Sequence, residues 1–268
     1  MLNALGLPGG SRSKWSVQLD VIGALILREM HTRFGRDNIG YLWMIAEPMM
    51  LALAVTLLHA SSGGGHIGYG MEPVPFALTG YTPFVMFRAV VLRAESTIEA
   101  NRTLLYHRMV TLTDMLVARA LLEFASVLVA LLVLLGASAA LGFGTLPQRP
   151  LLIVFGMALL LWFAFGISLL VCAGSESSTI VGRLVHPATY VSLPLSGAFF
   201  LLVWVPEPYR TYLSWTPMVH IWEIIREGQF GQYDSAYASP LYVLAWCASL
   251  TFLGLLALRV TRATMHIE

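Results

Sequence analysis

The sequence predicts an all-α integral membrane protein with six transmembrane helices, an N-terminal amphipathic interfacial helix and two re-entrant helices before the last span. Hydrophobic residues make up 57% of the 268 residues and charged residues only 12%, whereas soluble domains carry about 25% charged residues. The mean hydropathy is +0.73, and several apolar stretches approach the roughly 20 residues that a helix needs to cross a bilayer. The net charge of +1 provides no basic surface for a nucleic acid.

The N-terminal part of the chain predicts a helix that lies in the membrane interface, over about residues 15–36. Apolar side chains recur there at helical spacing, and Asp20 and His31 fall on other faces of the same helix. The apolar stripe consists of Trp15, Leu19, Ile22, Ile26 and Met30. A helix that packs on soluble protein would show the same pattern, and this alternative stays open.

Six spans are predicted in a single transmembrane domain that covers residues 1–268. They run over about residues 39–59, 75–97, 115–141, 151–173, 180–203 and 240–258. In the third span, Gly136 and Ala140 form a small-xxx-small pair that would permit close helix packing. Pro187 and Pro194 interrupt the fifth span, which a membrane tolerates where neighbouring helices or a cavity satisfy the freed carbonyls.

The distribution of cations predicts the orientation. With six spans, both termini lie on one side, and cytoplasmic segments carry an excess of Lys and Arg. One set of segments carries Arg12, Lys14, Arg28, Arg33, Arg36, Arg102, Arg108, Arg183, Arg259 and Arg262, and the other carries Arg149, Arg210 and Arg226. Both termini are therefore expected in the cytoplasm.

The sequence contains no motif for catalysis, metal binding or nucleotide binding. A G-x-S-x-G elbow, an H-E-x-x-H helix and a P-loop are all absent. Cys172 and Cys247 lie in apolar runs without metal-ligand spacing, so they are predicted to pack as small hydrophobic residues. We expect no cofactor in this chain, and any ATP-driven step must use ATP and Mg²⁺ on a separate polypeptide.

Residues 28–48 carry the most specific signature in the chain. Arg-Glu at 28–29, Arg-Phe at 33–34, Ile-Gly-x-x-Trp at 39–43 and Glu-Pro at 47–48 follow one another into the first span. This order resembles the start of the membrane subunits of ABC exporters that move whole polysaccharides, and most closely the capsular, Kps-type permease. Later features follow in the family's order, so the resemblance covers nearly the whole chain.

The resemblance implies a permease subunit, without enzymatic activity of its own, that exports a lipid-linked capsular polysaccharide across the bacterial inner membrane. It also implies a complex of two copies of this chain with two ATPase subunits, a periplasmic copolymerase-type partner and an outer-membrane polysaccharide channel. An O-antigen or teichoic-acid permease is the alternative within the family.

Other classes of membrane protein remain as alternatives. A membrane-embedded glycosyl- or acyltransferase would need a catalytic acid or histidine at the interface, and His59, His186 and His220 lack a partner motif. A passive channel or a structural membrane protein would need no loop on which an ATPase docks.

The loop from Asn101 to Asp114 resembles the family's coupling helix, on which the ATPase docks. The family usually carries a proline just before the acidic residue, where this chain has Leu112 and Thr113. Apolar residues stand among the charges of the loop, as is usual at an interaction site. The residues predicted to couple to the ATPase are Arg102, Leu104, Leu105, Arg108 and Met109.

Charged residues inside the spans predict either buried ion pairs that join helices or a water-filled path for a polar polymer, because an unpaired charge at membrane depth is costly. Arg88 and Glu95 are seven residues apart on one helical face, and Arg119 and Glu123 are four apart. The candidate path residues are Glu47, Arg88, Arg93, Glu95, Arg119 and Glu123.

Residues 204–239 are too charged to span the membrane and too apolar for a solvated loop. Pro206, Pro208 and Pro217 divide the segment, and it resembles the family's two re-entrant periplasmic helices. Glu223 and Arg226 are spaced to form an ion pair on one helical face. Aromatic side chains here are expected to stack on sugar rings at the exit or, alternatively, to anchor the chain in the interface. The exit residues are Tyr209, Tyr212, Trp215, His220, Trp222, Glu223 and Arg226.

Overall fold

A computed structural model describes residues 14–34, 50, 70–101 and 110–264, in which helices alternate with turns and irregular segments and no β-strand occurs. Apart from residue 50, the predicted first span, 39–59, lies outside the described residues, as do Glu47 and all five predicted coupling residues.

The helices follow the predicted order. They are α1 (Lys14–Phe34), α2 (Pro73–Ala94), α3 (Thr97–Ala100), α4 (Leu112–Ala140), α5 (Pro150–Ser177), α6 (Thr179–Leu195), a 3₁₀ turn (Leu202–Trp204), α7 (Tyr209–Leu213), α8 (Pro217–Gln229) and α9 (Pro240–Thr264). Within the described ranges, α2, α4, α5 and α9 are long and apolar enough to cross a membrane.

Local chemistry sets the starts of these helices. Helices α2, α5 and α8 each begin with a proline, whose fixed φ suits the first helical turn and whose missing N–H needs no partner there. Helix α4 begins with a capping box, in which the Thr111 side chain accepts from the Asp114 N–H and the Asp114 carboxylate accepts from the Thr111 N–H. Asp114 therefore has a helix-capping role at the end of the predicted coupling loop.

Helix α5 lies at the centre of the bundle and packs against α2, α4, α6, α8 and α9. Glycines permit its close crossings with α8 and α9. A Cβ added at Gly156 would lie 2.5 Å from the Ile225 side chain on α8, and one added at Gly254 on α9 would lie 2.5 Å from Leu169. Close approach of the backbones compensates for the weak hydrophobic drive between helices in lipid. Cys172 and Cys247 are buried free thiols, which agrees with the predicted packing role.

Two packing predictions differ from the structure. The fifth span was predicted to reach residue 203, but α6 has 17 residues and ends at Leu195, next to Pro194. The chain then turns through Gly197, whose φ is +88°, so the count of six spans stays a prediction. Gly136 makes no close crossing with any described helix, because a Cβ added there would meet no described atom within 4 Å.

We predict that Gly254→Ala destabilises the protein, whereas Gly136→Ala leaves it unchanged or slightly stabilised. The methyl group at position 254 must displace α9 from α5, and overpacking of this kind costs about 1–3 kcal/mol. The methyl group at position 136 enters open space, and alanine favours a helix over glycine by about 1 kcal/mol. The midpoint of heat-induced loss of monodisperse protein in detergent measures both effects. Equal midpoints for the two variants would contradict the predicted crossing.

Candidate functional site

Helix α8, which is not one of the candidate membrane spans, carries a buried carboxylate. Glu223 is 1% exposed. It accepts hydrogen bonds from the hydroxyls of Tyr233 (2.5 Å) and Ser235 (2.8 Å) and from the backbone N–H of Leu202 (2.9 Å). Burial and the Glu223 charge raise the pKa of Tyr233, so its hydroxyl keeps the proton that it donates. Through Glu223, α8 holds both the 3₁₀ turn and the loop before α9.

The same helix carries a cation that has no exposed surface. Arg226 donates hydrogen bonds to the backbone carbonyls of Ala198 (2.7 Å) and Phe200, and its guanidinium lies 4.0 Å from the ring centre of Phe76. Burial lowers the pKa of Arg226 to about 10, and the Glu223 carboxylate opposes that shift. The side chain therefore remains a cation at neutral pH and fastens the segment after α6 to α8 and α2.

Glu223 and Arg226, both in the described part of the chain, make no direct ion pair with each other, although their spacing predicted one. Both side chains bond instead to the backbone that follows α6. The carbonyls of residues 198 and 200 accept from Arg226, and the N–H of residue 202, the first of the 3₁₀ turn, donates to Glu223. Backbone groups outside a helix need such partners when they are buried. We call Glu223, Arg226 and their hydrogen-bonded partners the α8 polar cluster.

The predicted exit residues fall into two groups in the structure. The aromatic side chains on or just after α7 are exposed, at 66%, 68% and 71% for Tyr209, Tyr212 and Trp215. The residues on α8 are buried, and the indole N–H of Trp222 donates to the Gly80 carbonyl at 2.9 Å. Trp222 therefore packs inside this chain instead of lining an exit, because its ring fills the space between α8 and α2. His220 contacts the carbonyls of Ser214 and Tyr237.

Ion pairs join three helices at the other end of the bundle. Arg119 on α4 lies 3.3 Å from Glu29 on α1, and Arg93 on α2 lies 3.3 Å from Glu123 on α4. Arg119 also donates to the Thr97 hydroxyl at 2.9 Å. Arg119 was predicted to face Glu123 along one helix, but its partner comes from α1. For these charges, the geometry favours the reading in which ion pairs join helices.

Arg88 has an aromatic partner in place of the predicted Glu95. Its guanidinium lies 4.0 Å from the ring centre of Tyr190 on α6 and donates to the Tyr190 hydroxyl. Glu95 instead lies 3.6 Å from His186. The sequence gives no signal for Tyr190, because the two residues are 102 positions apart.

Arg88 opens onto a groove of about 350 Å³ along α2. The groove is lined by Tyr81, Phe84, Val85, Arg88, Ala89, Leu92 and Arg93. Its lining combines aromatic rings with Arg88 and with Arg93, which is paired with Glu123, and contains no carboxylate among the described residues. Such a surface can bind an acidic sugar through guanidinium–carboxylate bonds and ring stacking.

Helix α1 contacts both ends of the predicted coupling loop. Arg28 donates to the side chain of Asn101, the first residue of the loop, and Gln18 donates to Asp114, the last. The apolar stripe of α1 predicted a place in the membrane interface but not these contacts, since side chains that meet across helices leave no periodic pattern.

Comparison with known proteins gives one family. Residues 20–230 match the model of the ABC-2 type transporter family. The chain is 34% identical over 240 residues to "Capsule polysaccharide export inner-membrane protein CtrC" of Neisseria meningitidis, covering 90% of each chain. It is 31% identical over 244 residues to "Capsule polysaccharide export inner-membrane protein BexB" of Haemophilus influenzae, covering 91% of this chain and 92% of the relative. "Polysialic acid transport protein KpsM" of Escherichia coli is 30% identical over 268 residues, covering 95% and 98%.

We predict that Arg226→Lys destabilises the protein, although the positive charge is kept. A lysine cannot donate to two carbonyls in a fixed fork while it lies flat over the Phe76 ring. One unsatisfied buried carbonyl costs about 1–3 kcal/mol. The midpoint of thermal unfolding in detergent should fall relative to wild type. Arg183→Lys is the matched control, because Arg183 is exposed. A midpoint that falls equally in both variants would show that the α8 polar cluster does not need a guanidinium.

Proposed function

This chain belongs to the ABC-2 type transporter membrane family, and from that premise we propose that its cargo is a lipid-linked capsular polysaccharide. It is the permease subunit of an ABC exporter in an inner membrane. The observation that carries the cargo proposal is the similarity to capsule polysaccharide export proteins over about nine tenths of both chains.

Partners complete the proposed exporter. An ATPase subunit supplies ATP hydrolysis, and two ATPases would act with two copies of this chain. A periplasmic copolymerase-type protein and an outer-membrane polysaccharide channel would carry the polymer onward. Both termini would lie in the cytoplasm. In that orientation α7 and α8 would lie at the periplasmic exit, and the start of α4 near Thr111 and the end of α9 near Arg262 would lie on the cytoplasmic side.

The groove along α2 is the proposed location of the polymer path. The most apolar part of α2 is 72% buried inside the chain, yet its remaining open face carries Arg88 beside aromatic rings. A cation on the accessible face of an otherwise buried membrane helix indicates contact with water or with a polar cargo. The exposed rings of Tyr209, Tyr212 and Trp215 would supply stacking surfaces at the exit.

Deletion of the gene from the encapsulated bacterium that encodes it tests the proposal. We expect surface polysaccharide to disappear and polymer to accumulate inside the cell, because synthesis continues when export stops. Quantification of the polymer in washed-cell and lysate fractions measures both changes, and a plasmid copy of the gene should restore the surface fraction. Loss of polymer from both fractions would instead identify a chain that acts in synthesis, as a transferase does.

We predict that Arg88→Ala reduces export of an acidic polymer several-fold without lowering the amount of protein in the membrane. Hydrogen bonds to a charged group contribute about 1.5–3 kcal/mol, and the substitution strands no carboxylate because Glu95 keeps its contact with His186. Surface polymer, normalised to permease measured by immunoblot, is the readout. Arg183→Ala, which removes an exposed cation from α6, should export normally. A parallel fall of protein and export would make Arg88 a structural residue.

Docking of the ATPase on the loop between Asn101 and Asp114 gives a further prediction. Carboxylates at two apolar positions of the loop, in the double variant Leu105→Asp and Met109→Asp, should oppose an apolar contact with the ATPase. We expect the ATPase to be lost from affinity-purified permease while the permease itself remains in the membrane fraction. Recovery of the ATPase at the wild-type ratio would place the docking surface elsewhere.

A further inference from the structure

A second cavity lies between the start of α4 and the end of α9. Its volume is about 230 Å³, and it is lined by Thr111, Leu112, Thr113, Leu255, Leu258, Arg259 and Arg262. It lies away from the groove that contains Arg88, and none of its lining residues belongs to the predicted path, exit or coupling sets.

Two guanidinium groups give this cavity a positive charge. Arg259 and Arg262 are exposed and make no hydrogen bond or ion pair with any residue in the described ranges. The lining contains no carboxylate among the residues that the structure describes. The nearby Asp114 carboxylate is bound to the Thr111 N–H and to Gln18. The Asp114 N–H already donates to the Thr111 hydroxyl, so the two arginines, and not the start of the helix, provide the positive charge.

The cavity combines this charge with apolar surface. Leu112 and Leu258 are buried, whereas Leu255 is 40% exposed. Only 22% of the most apolar part of α9 is buried inside the chain, so most of its surface is available to lipid. At a rise of 1.5 Å per residue, Arg259 lies roughly 28 Å along α9 from Pro240. A bilayer core is about 30 Å thick, so the guanidinium groups lie at headgroup level.

We propose that this cavity binds one anionic phospholipid. The lipid phosphate would be held by Arg259 and Arg262, and an acyl chain would run along Leu255 on the outer face of α9. The Thr113 hydroxyl, which lies 2.6 Å from that of Thr111, provides a further polar contact. Basic pockets between transmembrane helices recognise phosphate headgroups in this way. This inference does not depend on the identity of the exported polymer.

The test uses the full-length permease, delipidated in detergent and titrated with phosphatidylglycerol or phosphatidylcholine under native mass spectrometry. Wild type should bind one phosphatidylglycerol per chain in preference to phosphatidylcholine. Arg259→Gln and Arg262→Gln should each weaken that binding roughly fivefold, which corresponds to the ~1 kcal/mol that one basic residue contributes near an anionic membrane surface. Arg259→Lys should retain most of the binding, because the charge remains.

Arg183→Gln is the matched control, since it removes an exposed arginine that lies outside the cavity. Wild-type affinity in this variant supports a defined site. An equal loss in all three glutamine variants would overturn the proposal in favour of general attraction between basic residues and lipid. Unchanged affinity in both cavity variants would also overturn it. Inorganic phosphate at millimolar concentration should not displace the lipid, and full displacement would identify a site for free phosphate instead.

Discussion

The structure depends on a pair of opposite charges buried on one short helix. Glu223 and Arg226 are buried, and the hydrogen bonds of the α8 polar cluster tie α8 to the segment after α6 and to the loop before α9. A buried charge is tolerated only when hydrogen bonds replace its water. The non-helical segments next to α8 supply those bonds, and the side chains of Glu223 and Arg226 in turn satisfy N–H and carbonyl groups of these segments. Irregular backbone and buried charge stabilise each other here.

The remaining charges separate into two kinds by their partners. Two ion pairs, Arg119 with Glu29 and Arg93 with Glu123, hold α1, α2 and α4 together. Arg88 instead lies over the ring of Tyr190 beside an open groove. An aromatic partner neutralises no charge, so the guanidinium can still attract an anion. Ion pairs therefore join the helices at one end, and the guanidinium of Arg88 on α2 keeps its charge unneutralised by a carboxylate of the described residues.

The sequence was sufficient to predict the long apolar helices, because their composition and length are intrinsic to each segment. It also indicated that residues 204–239 divide into short helices, since prolines limit a helix wherever it packs. Side-chain partners could not be predicted in the same way. Spacing along one helix suggested Arg88 with Glu95 and Glu223 with Arg226, but the partners observed come from other segments. Likewise, the chain leaves α6 at Leu195 and the carbonyl of Ala198 then accepts from Arg226, a contact between distant residues that no local pattern records.

A permease for a large polar cargo must keep its fold while part of its surface remains wet. In this chain the segment that surrounds α7 and α8 is fixed by hydrogen bonds that are satisfied internally, so water or sugar near α7 need not compete for them. The rings on and just after α7 are exposed, so the packing of the fold does not depend on them, and they would be available for the proposed stacking on sugar. At the opposite end, α1 forms hydrogen bonds with Asn101 and Asp114, the two ends of the predicted coupling loop. Because α1 is also bonded to α4 through Glu29 and Arg119, a force applied to that loop would reach α4 and α2 through ion pairs, while the α8 polar cluster stays intact.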